Sequence, residues 1–125
     1  MEIDKEKFES ELAQFTGTEH YFKASILSNL KLTDGMQFLR EKANCYWLTT
    51  IVESVQSLDI IKEKQSFIVW RIELLKGSKF KVTAWDDTPY KSQLLYSQEG
   101  PYTDFPIKEF DFYQCGEVLL LQSEY

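Results

Sequence analysis

The chain has 125 residues, of which 43% are apolar and 15% aromatic, and its net charge is −6. This length and apolar content predict one domain with one hydrophobic core, and they exclude a chain that is disordered throughout. The negative charge argues against attraction to nucleic-acid backbones and to anionic lipid, so we expect no direct nucleic-acid binding and no membrane association.

The charge is unevenly distributed along the chain. Residues 1–85 carry twelve acidic and twelve basic side chains, whereas residues 86–125 carry eight acidic and two basic ones. The whole excess of negative charge therefore lies in the last third.

The ends and the cysteines indicate a cellular compartment. The charged start at Met1 lacks the apolar core of a secretion signal, and no apolar run approaches the roughly 18 residues that span a bilayer. Cys45 and Cys115 have neither CxxC spacing nor a disulfide-framework pattern. We expect a cytoplasmic protein with two reduced thiols; a single bridge or a reactive nucleophile is the alternative.

The first predicted helix covers residues 4–15. Phe8, Leu12 and Phe15 recur at helical spacing, and Asp4 suits the N-cap. The following segment, residues 19–32, fits neither the helical nor the strand period, and we predict a mixed connection there.

Two further helices are predicted before residue 62. Asp34 is expected to begin the second, because its spacing to Gln37 resembles a capping box. The third follows Asn44 and should be the most buried helix, because its apolar face is wide. That face comprises Trp47, Leu48, Ile51, Val52, Val55 and Leu58.

From Ser66 the apolar period changes from 3.6 to 2, which indicates strands. Five are predicted, over residues 68–74, 79–84, 90–97, 107–113 and 117–122. Helices followed by strands predict a single α+β domain over residues 1–125. The helical part, residues 4–62, should pack on one face of an antiparallel sheet of about five strands formed by residues 66–122.

Several short stretches together resemble a known group of proteins. They are Thr16–Tyr21, Leu32–Gly35, Tyr46–Leu48, Tyr102–Pro106 and Leu121–Tyr125. They are similar to an uncharacterised family of small proteins from bacterial, plasmid and phage genomes that carry a domain of unknown function. The resemblance would cover nearly the whole chain, although Gln122 stands where the family pattern leads us to expect proline. It implies a mobile-element context but no activity, cofactor or catalytic residue.

Few side chains suggest catalysis. His20, the only histidine, has the right ordinary pKa for a general acid or base, but a structural or surface role is the simpler interpretation. Cys45 or Cys115 would become a nucleophile if the fold paired it with His20, whereas small buried residues are the simpler expectation. The carboxylates of the last third do not match a calcium loop, and we predict neither a metal nor a cofactor.

The leading hypothesis is a non-enzymatic protein-binding or adaptor domain that uses an acidic, aromatic C-terminal surface. Its candidate residues are Asp86, Asp87, Tyr102, Asp104, Phe105, Glu109 and Asp111. It requires that Arg71, Lys79 and Lys81 do not neutralise these carboxylates. One alternative is an acidic inhibitor that mimics nucleic acid and blocks a defence nuclease. A small enzyme centred on His20 or a cysteine is another. The partner is expected to be a protein, and the domain a monomer or homodimer.

Overall fold

A computed structural model describes residues 4–87 and 93–125 of the chain. Within these ranges four helices and seven strands are found. The helices are α1 (Lys5–Ala13), α2 (Asp34–Lys42), α3 (Tyr46–Ser54) and α4 (Asp59–Lys64). The strands are β1 (Phe22–Lys23), β2 (Lys31–Leu32), β3 (Ile68–Leu74), β4 (Phe80–Trp85), β5 (Leu94–Gly100), β6 (Glu109–Cys115) and β7 (Val118–Leu121).

The strands form one sheet in the order β1-β2-β7-β6-β3-β4-β5. All neighbours are antiparallel except β2 and β7, which run parallel. The α+β class is thus confirmed, with helices before the main strands. The count of about five strands was too low, because β1 and β2 lie in the segment predicted as a mixed connection. Strands of two residues are too short to show a period.

Two predicted helix boundaries differ from the structure. Thr33, not Asp34, is the N-cap of α2, and its hydroxyl oxygen accepts a hydrogen bond from the N–H of Met36 at 3.3 Å. The predicted third helix is divided into α3 and α4, because Leu58 adopts an extended conformation just before α4. The predicted strand over residues 90–97 begins outside the described residues, and β5 continues to Gly100, three residues beyond the predicted end.

One sheet face carries the core. On β3, β4 and β6 the side chains of Trp70, Val82 and Phe112 are fully buried. The buried apolar residues of the helices belong to the same cluster as these three, so the helices cover this face. They are Phe8, Leu12, Met36, Leu39, Leu48, Ile51, Val52 and Ile61.

The opposite face, which we call the open face, carries Tyr113 of β6, and Tyr125 contacts this side chain with ring centroids 5.3 Å apart. Val69 lies on it and is the one described buried apolar residue outside the core cluster. Its cross-strand neighbours are Tyr113 on β6 and Trp85 on β4. Arg71 pairs in register with Asp111 next along the same face. The open face therefore combines an aromatic band with a charged one.

Candidate functional site

The residues expected to form one acidic, aromatic surface lie at two ends of the sheet. Asp86 follows β4 directly after Trp85, which pairs with Val69, and Asp87 is next in the chain. Glu109 pairs with Glu73 at the other end of β3. Four residues of strand separate the two positions, which is about 13 Å. The carboxylates therefore do not gather into one patch.

The loop before β6 carries three more of the expected residues, Tyr102, Asp104 and Phe105. Thr103 donates its N–H to the carbonyl of Ser78 at 2.8 Å, which ties this loop to the turn between β3 and β4. Tyr102 and Asp104 are exposed there. Phe105, which we expected at the binding surface, is only 3% exposed and packs on Phe110 with ring centroids 6.0 Å apart. Its aromatic ring belongs to the core.

Arg71 engages the two carboxylates of β6. Its Nε–H and Nη2–H donate to the two oxygens of Asp111 at 2.8 and 3.0 Å, and its Nη1 lies 3.4 Å from Glu109. The bidentate bond to Asp111 is the main cause that raises the pKa of Arg71. At the other end Lys64 lies 3.8 Å from Asp86. The nucleic-acid mimic required aligned, available carboxylates, and these contacts do not support that arrangement.

A cleft opens beside the first half of β6. Strand β7 pairs with β6 from Phe112 to Cys115, and after Leu121 the chain forms a short 3-10 turn, where the side-chain amide of Gln122 donates to the hydroxyl of Tyr113 at 3.2 Å. The cleft left there has a volume of about 360 Å³. We call it the β6 cleft; its lining comprises Glu9, Leu12, Ala13, Ile107, Glu109, Phe110, Asp111, Leu121, Gln122 and Ser123.

Part of the β6 edge in this cleft is not paired with β7. Lys108 accepts a hydrogen bond from Leu74 of β3, and in an antiparallel ladder successive residues turn their backbone groups to alternate sides. The N–H and C=O of Glu109 and Asp111 therefore point away from β3, towards the cleft. The ladder with β7 ends at the pair Phe112 and Leu121, which is closed by the N–H of Gln122 donating to the C=O of Asp111. The N–H of Asp111 and both backbone groups of Glu109 lie beyond this last pair. They form a short free strand edge.

The wall of the cleft is acidic and its floor apolar. Glu9 of α1 contributes a carboxylate that lies 3.8 Å from the ammonium group of Lys5, one helical turn away. Such exposed pairs stabilise a helix by a few tenths of a kcal/mol, about 0.3–0.5, and compete weakly with a ligand. Glu109 is more than half exposed. Leu12, Ile107 and Leu121 are buried beneath them.

The residues suggested for catalysis lie in other surroundings. His20 is largely exposed, and its Nδ1 lies 3.7 Å from the carboxylate of Asp34. Burial raises the pKa of Cys45 to about 12, and its Sγ donates to the carbonyl of Leu39. Burial also raises the pKa of Cys115. A raised pKa keeps a thiol protonated and weakly nucleophilic at neutral pH. Among the described residues no group of His, Cys, Asp and Glu could hold a metal ion.

The N-terminus of α2 is the most connected polar region, and we call it the α2 junction: Thr18, Thr33, Asp34, Gly35 and Glu124. The N–H of Asp34 donates to the hydroxyl of Thr18 at 2.9 Å. Glu124 accepts hydrogen bonds from the hydroxyl of Thr33 at 2.6 Å and from the N–H of Gly35 at 3.1 Å. A Cβ on Gly35 would lie 2.5 Å from a carboxylate oxygen of Glu124. Three of the stretches that carried the family resemblance thus meet at this point.

Sequence reasoning found Glu109 and Asp111 but missed Glu9 and the cleft itself. Glu9 lies a hundred positions from Glu109, and no pattern in α1 distinguishes it from the other exposed acids of that helix. The cleft exists because β7 is shorter than β6. The difference in length depends on where the chain turns after Leu121. The apolar run Val118–Leu121 does not show where that turn begins.

The three resemblance stretches at the α2 junction lie within a longer match to a family model, over residues 6–125. The chain belongs to DUF6876, a family of unknown function. The DUF6876 match includes nearly all of α1 and every later element, so both the β6 cleft and the α2 junction fall inside it. Comparisons with curated proteins and with solved structures find no match. In the described part of the chain no helix is long and apolar enough to cross a membrane.

Proposed function

We propose that this DUF6876 domain is a non-enzymatic protein-binding module whose β6 cleft takes up an extended segment of a partner protein that carries lysine or arginine. The observation that carries this proposal is the part of the β6 edge beyond its last pair with β7, at Glu109 and the N–H of Asp111, lined by carboxylates and floored by apolar side chains. A free strand edge beside a cleft is the structure that accepts an added peptide strand.

Strand addition would use both parts of the cleft. The N–H and C=O of Glu109 and the N–H of Asp111 would pair with backbone groups of the incoming segment, which supplies affinity without regard to sequence. Side chains alternate between the two sides of a strand, so every second one would face the apolar floor around Leu12 and Leu121. The others would lie near the carboxylates. A segment that alternates apolar and basic residues fits this arrangement.

The charge of the whole domain favours the same partner. A net charge of −6 attracts cationic segments over long distances and speeds their encounter. Near the cleft Arg71 offsets part of the charge of Asp111, whereas Glu109 and Glu9 keep exposed carboxylates. These two side chains should therefore provide most of the preference for basic residues.

A fluorescent ten-residue peptide of alternating lysine and valine tests the proposal. We expect it to bind the domain, with an affinity that falls as salt rises, and we expect its glutamate–valine counterpart not to bind. Equal binding of the two peptides, or binding of neither, would contradict the proposal. Fluorescence anisotropy measures both.

Two substitutions at one position separate charge from backbone. Glu109→Gln keeps the backbone N–H and should weaken lysine–valine binding by about two- to five-fold, the range of one exposed ion pair. Glu109→Pro also removes the free N–H, and should weaken binding by roughly a further five-fold, the contribution of about one hydrogen bond. Glu63→Gln on the exposed side of α4 is the matched control and should change nothing. Equal effects of Gln and Pro at position 109 would rule out strand addition.

We also propose a cytoplasmic location. Both Cys45 and Cys115 are free thiols, which suits a reducing compartment. Alkylation of freshly lysed cells in the unfolded state should label two thiols per chain, whereas a disulfide form would label none.

A further inference from the structure

The β1–β2 hairpin has an apolar tip that no part of the described chain covers. Ile26 and Leu27 lie at its turn and are 93% and 88% exposed. Large aliphatic side chains of a monomeric domain are seldom so exposed side by side, and such exposure marks a contact surface when the neighbouring residues are polar. We call these two residues the hairpin tip.

The turn that carries the hairpin tip is held firmly from below. The hydroxyls of Ser25 and Ser28 both donate to one oxygen of Glu53, at 2.7 and 2.5 Å. The N–H of Leu27 donates to the hydroxyl of Ser25 at 3.0 Å, and Arg40 donates to the carbonyl of Ala24 at 2.7 Å. A turn fixed in this way presents its side chains without an ordering cost on binding.

Two lysines flank the tip without a counter-charge. Lys23 and Lys31 are cross-strand partners on β1 and β2, where like charges repel. Neither takes part in an ion pair within residues 4–87 and 93–125. The hairpin thus offers two aliphatic side chains beside two unpaired ammonium groups. A surface that binds the hairpin would need an apolar hollow with carboxylates around it.

The β6 cleft has this chemistry, and the same chain carries it. Lys31 donates its N–H to Glu117 at the start of β7, which puts the hairpin tip at that end of the strand. The cleft lies at the other end, beyond Leu121. The tip of one molecule therefore cannot reach its own cleft. It can reach the cleft of another.

We infer that the β1–β2 hairpin of a second copy of this chain occupies the β6 cleft, with Ile26 and Leu27 on its apolar floor and Lys23 and Lys31 at Glu9 and Glu109. This inference rests on the proposed function, because it assigns a partner to the same cleft; the hairpin tip would use the apolar floor and the carboxylates of the cleft rather than the edge of β6. Two different surfaces meet in the contact, so it is head-to-tail, and repeated contacts build open chains or rings.

Sedimentation of the full chain tests this inference. The weight-average mass of the wild type should rise with concentration above 14.8 kDa. The double variants Ile26→Ser/Leu27→Ser (tip variant) and Glu9→Lys/Glu109→Lys (cleft variant) should each remain monomeric. When mixed, each retains the surface that the other lacks, so together they should form a heterodimer and nothing larger. Tyr102→Ser removes an exposed aromatic elsewhere and should assemble like the wild type.

The outcomes that would overturn this inference can be told apart from one another. A wild type that binds the lysine–valine peptide but stays monomeric at all concentrations overturns this inference and leaves the proposed function intact. A wild type that neither binds the peptide nor assembles overturns both. Assembly that survives in the tip variant also overturns the inference. So does a monomeric wild type that binds phosphatidylserine vesicles through the hairpin tip, since the occupant would then be a lipid surface.

Discussion

The α2 junction and the β6 cleft both place carboxylates beside backbone hydrogen-bonding groups. The two regions differ in how many of these groups are bonded within the chain. At the α2 junction Glu124 accepts hydrogen bonds from Thr33 and Gly35 and from the N–H of Leu121, at distances of 2.6 to 3.1 Å. At the cleft the N–H and C=O of Glu109 and the N–H of Asp111 lie beyond the last pair of β6 with β7. Charge-assisted hydrogen bonds that are already made stabilise the fold, whereas open ones are available to a ligand.

This difference explains why acidic composition alone was a poor guide to the site. The carboxylates of Asp34, Glu124 and Asp111 accept hydrogen bonds from other groups of the chain. Glu9 and Glu109 are about half exposed and lie in longer ion pairs, 3.8 Å from Lys5 and 3.4 Å from Arg71. The useful distinction is between carboxylates in short hydrogen bonds within the chain and exposed carboxylates in longer ion pairs.

Removing Glu124 should have the largest effect on stability. Glu124→Ala deprives three donors of their acceptor and should lower the free energy of unfolding by about 2–3 kcal/mol. Urea denaturation measures this loss. Glu117→Ala, an exposed acid at the neighbouring turn, is the control and should remain within about 0.5 kcal/mol of the wild type. A Glu124 variant as stable as that control would show that the α2 junction does not hold the C-terminus to α2.

How much of this could be predicted from the sequence differs between the two regions. The alternation of Ile68, Trp70 and Ile72 predicted β3 correctly, because a half-buried strand imposes a period of two. The cap of α2 was misplaced at Asp34, although Thr33 and Met36 have the same local spacing as Asp34 and Gln37. Glu124 also bonds Thr33 and Gly35, and because it comes from the opposite end of the chain, a local capping pattern gives no sign of it.

The cleft was beyond sequence reasoning for a similar reason. Glu109 and Asp111 were identified by charge, but their role depends on β7 ending opposite Phe112 and on α1 lying alongside. Both are features of tertiary packing. Phe105 was mistaken for a surface residue because an aromatic in an extended loop has no period that would reveal its burial.

Arg71→Met should sharpen the comparison at the cleft by releasing a carboxylate there. The bidentate partner of Asp111 is lost, so stability should fall by about 1 kcal/mol, since the pair is only partly buried. Affinity for the lysine–valine peptide should instead rise by about three- to five-fold, because Arg71 no longer competes for Asp111 and Glu109. Anisotropy and urea denaturation together test both signs. A loss of affinity that matches the loss of stability would place the peptide away from these carboxylates.

The smallest expected effect is on the stability of the fold at acidic pH. The pKa of Asp34 is lowered from its ordinary value of 3.8, chiefly by the hydrogen bond from the N–H of Glu19 and further by His20 and Thr18. A lowered pKa in the folded state means that the ionised form stabilises folding above pH 3.8, and that this contribution disappears as the pH falls from 3.8 through the lower folded value. The Asp34→Asn variant lacks a titrating group at this position, so its urea midpoint should fall less between pH 5 and pH 2 than that of the wild type. Asp59→Asn, in the first turn of α4, is the matched control and should follow the wild type. If Asp34→Asn has the same pH dependence as that control, the charge of Asp34 does not stabilise the α2 junction. The junction would then depend on Glu124.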